Sequence, residues 1–207
     1  MNKTVFTAVV LFIVLGVLIY MKENKEVSYE PLKKDGVILA FGDSLTYGFG
    51  AHEGFSYPAI LEKKSGYRVI NAGVPGEESG EGLMRLPRLL KQRPALVILC
   101  HGGNDILRKR SKEQLKSNLT QMVSLIKQSG ANVLLVGVPD FYVLGFRTLG
   151  LYKEVAHESG VIYEGEVLSR IEQDRTLKSD YVHPNEKGYE MMADAFLELL
   201  RKRKLID

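Results

Sequence analysis

Five short runs of apolar, largely β-branched residues recur along the chain, at 37–41, 67–70, 95–100, 132–138 and, more weakly, 161–163. They are continuous rather than alternating, the pattern of strands buried on both faces. Helical periodicity fills the spaces between them. Tyr57–Lys64 sets Ile60 and Leu61 among polar positions. Gly82–Gln92 spaces Leu83, Leu86, Leu89 and Leu90 helically, and Pro87 is expected to bend that helix or mark its first turn. Ser111–Ser129 is the clearest amphipathic helix, with Leu115, Leu119, Met122, Leu125 and Ile126 on one stripe. Ser111 with Gln114 resembles a capping box, and Gly130 stops the helix. Leu151–Glu158 is a weaker helix, and Glu186–Lys204 a strong one started by Asn185. Strand and helix alternate throughout, which predicts an α/β domain with a mostly parallel sheet.

The N-terminal segment is a separate object. Thr4–Met21 reads TVFTAVVLFIVLGVLIYM, an uncharged stretch of 18 residues at the lower limit for crossing a bilayer. A cleaved signal peptide needs a small-x-small site after its apolar core. Tyr20-Met21-Lys22-Glu23-Asn24-Lys25-Glu26 offers bulky and charged residues instead, and no cysteine for lipid attachment. The expectation is an uncleaved membrane anchor over 1–21, a polar linker over 22–35 and one domain over 36–207. The single-pass anchor is expected to leave the domain outside the cytoplasm. The charges of Lys3 before the span and Lys22 and Lys25 after it discriminate little. Secretion after signal cleavage is the alternative.

A net charge of +3, with no basic run interleaved with aromatics, argues against a nucleic-acid partner. Arg201-Lys202-Arg203-Lys204 reads as favourable charge at a helix C-terminus. The single cysteine, Cys100, lies in an apolar strand and reads as a buried, inert thiol. No Cys/His cluster or carboxylate pair has metal-ligand spacing, and the glycine-rich stretches lack a Walker lysine.

Ligands of open parallel sheets bind beyond the carboxyl ends of the strands. Ser44, in Phe41-Gly42-Asp43-Ser44-Leu45, follows the first strand; Asn71–Gly76 (NAGVPG) follows the second; Gly102-Gly103-Asn104-Asp105 follows the third; Asp140 onward follows the fourth. Asp180-Tyr181-Val182-His183-Pro184-Asn185 stands before the last helix. A serine hydroxyl needs a base, and the base needs a carboxylate to fix its tautomer. Ser44, His183 and Asp180 can supply these roles. The Ser44 amide, a glycine N–H at Gly76 and the Asn104 side chain can supply oxyanion donors. Each motif alone reads equally as a turn or cap. Asp43 is a cap or brace rather than a catalytic group, and His52 and His157 read as surface residues.

Together these blocks resemble the GDSL/SGNH hydrolase family. Ser44, Gly76, Asn104 and His183 with Asp180 match its four blocks, over roughly residues 36 to 205. The resemblance is strongest to the bacterial thioesterase I/lysophospholipase branch, where a Gly-Leu-x-Arg-Leu-Pro helix also occurs; here it is Gly82-Leu83-Met84-Arg85-Leu86-Pro87. It implies a three-layer α/β/α, flavodoxin-like sandwich, a serine esterase activity, and no metal or organic cofactor. Two glycines leave the second donor open between Gly73 and Gly76; alignment on Glu77 favours Gly76. His101 departs from the family pattern and receives no role.

Asp140-Phe141-Tyr142-Val143-Leu144-Gly145-Phe146 follows the fourth strand. Phe141, Tyr142, Leu144 and Phe146 read either as an acyl-chain wall or lid, or as a segment packed on the core. With the anchor, this run suggests amphiphilic esters such as lysophospholipids or medium-chain acyl esters. Removal of O-acetyl groups from cell-wall or extracellular glycan is the second enzyme reading, and a non-catalytic anchored binding module the reading from another class.

Overall fold

The computed structural model describes residues 29–142 and 145–207. The apolar runs form β1 (Val37–Gly42), β2 (Arg68–Gly73), β3 (Leu96–Cys100), β4 (Asn132–Val136) and β5 (Ile162–Glu164). They make one sheet of order β2-β1-β3-β4-β5, and every neighbouring pair is parallel. In register, Leu39 lies between Ile70 and Val97, and Leu135 between Leu99 and Tyr163. Burial on both faces holds for the central strands: β3 is buried throughout, and β1 and β4 from their second residue onward. Among the described residues β2 is an edge strand, and Arg68 and Asn71 are exposed.

Eight α-helices cover the sheet among the described residues: α1 (Ser44–Tyr47), α2 (Tyr57–Ser65), α3 (Ser79–Leu90), α4 (Gly103–Leu107), α5 (Lys112–Gln128), α6 (Gly150–Ser159), α7 (Val167–Gln173) and α8 (Glu186–Lys202). Helix α2 packs on α8, and α5 packs between α3 and α6, giving two helical layers around the sheet. Tyr57 meets Phe196 edge-on at 5.1 Å between α2 and α8. The result is the α/β/α sandwich in the flavodoxin-like strand order.

Helix boundaries differ from expectation where local chemistry differs. Ser111 does cap α5 by accepting the Gln114 N–H, but the Gln114 side chain turns to Asn118 instead of reaching back. The complete capping box belongs to α3, between Glu78 and Glu81. That box starts α3 at Ser79, so Pro87 falls near its C-terminal end rather than in its first turn. Asn185 caps α8 through Gly188 N–H, as its position before the helix implies.

The expected anchor and residues 22–28 of the expected linker lie outside the described residues. Among the described residues no helix is long and apolar enough to cross a membrane. The rest of the linker is mostly exposed but pinned at one point: Leu32 is buried, its N–H donates to Leu205 O at 2.7 Å, and its carbonyl accepts the Tyr67 hydroxyl. A single leucine in a polar stretch is too weak a pattern to announce that contact.

Candidate active site

The strand order reverses between β1 and β3, and the crevice at such a reversal is where parallel sheets hold ligands. Ser44 follows β1 there as the first residue of α1. Asp43 is buried and caps α1, its Oδ1 accepting the Leu45 N–H at 3.0 Å. Burial pushes the Asp43 carboxyl up, against the lowering effect of the Leu45 and Gly103 backbone N–H groups. The Ser44 side chain is only partly covered.

The other catalytic candidates come from the loop before α8. Asp180 Oδ1 accepts the N–H groups of Val182 and His183, both at 2.8 Å. Its Oδ2 lies 2.8 Å from His183 Nδ1, and His183 Nε2 lies 3.0 Å from Ser44 Oγ. The Asp-x-x-His segment is therefore both a turn and a hydrogen-bonded line to Ser44. The hydrogen bonds of the turn and those a catalytic reading requires coincide in one segment. Burial works to raise the Asp180 carboxyl, but the backbone N–H groups of His183 and Val182, with the imidazole, hold it below the usual carboxylate range.

Two supports of this loop carry no sequence signal. The Phe49 ring packs 4.5 Å from the His183 ring. Beneath the loop, Lys178 pairs with Glu172 in a buried contact, and its ammonium also donates to Tyr181 O at 2.5 Å. Lys178 and Glu172 come from different elements, so only folding reveals the pair.

Asn71–Gly73 proves to be the end of β2 rather than a loop after it. The Gly73 N–H donates to Asn71 Oδ1, and a Cβ on Gly73 would lie 2.1 Å from Tyr47 N. Gly73 is thus needed for close packing of α1. Gly76 has φ +80 and open space around it, the nearest atom to an added Cβ being Arg108 Nη2 at 3.8 Å. Neither the Ser44 nor the Gly76 N–H meets an acceptor among the described residues. Asn104 lies in α4, with one Nδ2 proton donated to Glu77 O at 3.0 Å.

The run after β4 divides. Phe141 is buried and belongs to the core cluster, in line with the packing alternative of its two readings. Tyr142 is exposed, its hydroxyl donating to Leu107 O at 2.7 Å and its ring lying under Lys109. Phe146 is partly covered and lies near the Lys178 ammonium. Leu144 lies outside the described residues. Cys100 is fully buried, and burial pushes its thiol well up. His52 is on the surface with Glu186, while His101, given no role above, is fully buried against Glu77.

The sheet order and the four blocks at its carboxyl edge define an SGNH-type fold. The family model described as "GDSL-like Lipase/Acylhydrolase family" matches residues 40–191, and the chain belongs to that family. It is 40% identical to the esterase TesA of Pseudomonas aeruginosa over 49% of this chain and 53% of that protein. It is 32% identical to thioesterase 1/protease 1/lysophospholipase L1 of Escherichia coli strain K12, over 76% of this chain and 79% of that one. The chain thus spans about half the length of the Pseudomonas relative and more of the second. Among solved structures, the psychrotrophic esterase EstA of Pseudoalteromonas, inhibited by monoethylphosphonate, matches with a TM-score of 0.71 at 26% identity, over 81% of this chain and 98% of that one.

Proposed function

We propose that this protein is a serine ester hydrolase that cleaves acyl esters of amphiphiles, such as lysophospholipids or medium-chain esters, and that its N-terminal segment anchors it to a membrane. The observation that carries the enzymatic reading is the line from Asp180 through His183 to Ser44, with contacts of 2.8 and 3.0 Å. In this reading His183 Nε2 takes the proton of Ser44 as Oγ attacks the ester carbonyl. The oxyanion is met by the N–H groups of Ser44 and Gly76 and the free Nδ2 proton of Asn104. His183 then protonates the leaving group, and water releases the acyl group by the reverse sequence. Its pairing with Asp180 stabilises the imidazolium formed at each step.

The amphiphilic substrate class draws support from large apolar side chains left exposed around this edge. Tyr47 ends α1, Phe49 follows it, Val74 follows β2, Tyr142 follows β4, and Tyr181 sits between Asp180 and His183; all are exposed. The anchor reading draws support from the uncharged run Thr4–Met21. Both are tested together: p-nitrophenyl esters of increasing chain length and an acetylated glycan are assayed, and the full-length protein is fractionated with membranes. Rates rising beyond the acetyl ester are expected. Activity confined to acetyl groups would transfer the protein to glycan deacetylation, and inactivity on every ester would favour a binding module. Recovery of a mature chain starting near residue 22 would replace the anchor with a cleaved signal.

Asn104→Ala is expected to lower kcat by about 10²–10³-fold, the usual effect of one oxyanion donor, with a smaller change in KM. Steady-state kinetics on a short ester decide it. Weak binding with normal turnover would make Asn104 a substrate contact instead.

A further inference from the structure

Three N–H donors are assigned above to the oxyanion, and each follows the end of a different strand. Ser44 follows β1, Gly76 follows β2 and Asn104 follows β3. Their mutual placement depends on how those strand ends are fixed to one another. A polar cluster of buried Glu77 and His101 with half-buried Arg85 lies among them.

Glu77 is buried, yet its carboxylate takes three hydrogen bonds. Arg85 donates to it in a fork, Nε to Oε1 at 2.7 Å and Nη2 to Oε2 at 2.6 Å. His101 Nε2 lies 3.1 Å from Oε2. The Gly102 N–H donates to His101 Nδ1 at 2.9 Å, which requires a lone pair there and leaves the ring proton on Nε2, facing Glu77. Arg85 Nη2 reaches on to Ala72 O at 3.1 Å and Gly42 O at 3.4 Å, at the ends of β2 and β1. Its guanidinium lies 4.4 Å from the centre of the Phe41 ring. Helix α3 approaches so closely that a Cβ on Gly82 would lie 2.3 Å from His101 Nε2.

The cluster touches both remote donors through one residue. Glu77 directly follows Gly76 and its own N–H donates to Val74 O at 3.2 Å, so anchoring its side chain holds the end of the Val74–Glu77 turn that presents the Gly76 N–H. The Glu77 carbonyl also accepts one Asn104 Nδ2 proton, which selects the side-chain rotamer and leaves the other proton free. We propose that Arg85, Glu77 and His101 are positioning residues for the oxyanion site, setting Gly76 and Asn104 relative to Ser44. This rests on the esterase reading and on the donor roles of Gly76 and Asn104. A misplacement of about 1 Å in such a site costs on the order of 10²-fold in rate. A merely structural ion pair would instead cost stability without acting through the donors.

The test is a double-mutant cycle in the full chain. Glu77→Gln keeps the size of the side chain but presents an amide to the Arg85 and His101 donors. It is expected to lower kcat on a short ester by about 10–100-fold, below the loss of a donor outright, with KM changed less. The serine-directed phosphonate should still label Ser44, though more slowly. In an Asn104→Ala background the same substitution should cost much less than in the wild type, because part of what it disturbs is gone. Arg85→Lys, which retains the charge and loses the fork and the carbonyl contacts, should behave likewise, and it decides the matter if Glu77→Gln does not fold. A folded variant with normal kcat, an effect confined to KM, or losses that multiply fully with Asn104→Ala would each overturn the proposal. If Asn104→Ala alone leaves kcat unchanged, the donor assignment has failed, and the positioning role with it. Absence of Ser44 labelling in the wild type would instead mark failure of the esterase reading.

Discussion

Replacing Ser44 by alanine is expected to lower kcat for ester hydrolysis by about 10⁶-fold, the scale seen where a nucleophile and its base act as a unit. The fold should not suffer. The Ser44 hydroxyl is partly exposed, and its hydrogen bond goes to His183, itself a part of the loop rather than of the core. The cap that starts α1 is supplied by Asp43, so the helix keeps its N-terminal partner in the variant. Thermal unfolding should therefore stay within about 4 °C of the wild type, since one partly exposed hydrogen bond, about 1 kcal/mol, is all that is lost. A serine-directed phosphonate should add one label to the wild type, placed at Ser44 by peptide mass, and none to the variant. Retained hydrolysis by Ser44→Ala, or a label on another serine, would remove Ser44 as the nucleophile.

Much of this site was legible in the sequence because its parts are local. Ser44 and Asn104 each sit within a few residues of a continuous apolar run, and such runs announce their strands directly. The Asp180–His183 pair is also local: one Asx turn supplies both the spacing and the tautomer-fixing contact. What escaped was made by contacts between different elements. His101 read as a departure without a role, yet it packs against Glu77 and Gly82, from an earlier part of the chain, and accepts the N–H of its neighbour Gly102. Lys178 and Glu172 are polar residues in a segment of no marked pattern, and only the fold buries both side chains. Helices α4 and α7 were missed because each is too short for a helical period to stand out. Phe141 shows the limit from the other side. An apolar run at the ligand edge reads the same whether its side chains face a substrate or the core, and Phe141 faces the core.

His183→Ala should be nearly as damaging as loss of Ser44, and Asp180→Asn should separate fold from chemistry. In Asp180→Asn the amide oxygen can still accept the Val182 and His183 N–H groups that Oδ1 now holds, so the turn should survive. The amide nitrogen would then face His183 Nδ1, where the carboxylate now accepts. A donor at that place favours the tautomer with its proton on Nε2, pointing at Ser44 Oγ, which cannot accept the serine proton. A fall in kcat of up to about 10⁴-fold is expected, with the unfolding temperature little changed. The pH profile follows from the same contacts. The Asp180 carboxyl is held below its ordinary range, chiefly by the His183 and Val182 N–H groups acting against its burial. It therefore remains ionised on acidification while histidine, which as a class changes charge between about pH 5 and 8, takes up its proton. Activity should fall along a single low-pH limb governed by the imidazole, because only its neutral form can act as base. The stability that the Asp180 contacts contribute is present above the unfolded carboxyl pKa and is lost only as pH falls through the lower folded value. The activity limb should thus appear at higher pH than any acid unfolding from this residue, which rate profiles and circular dichroism on one sample can separate. A rate that stays flat down to about pH 4, well under the histidine range, or an active His183→Ala enzyme, would leave the loop as a turn only and send the search for the base elsewhere.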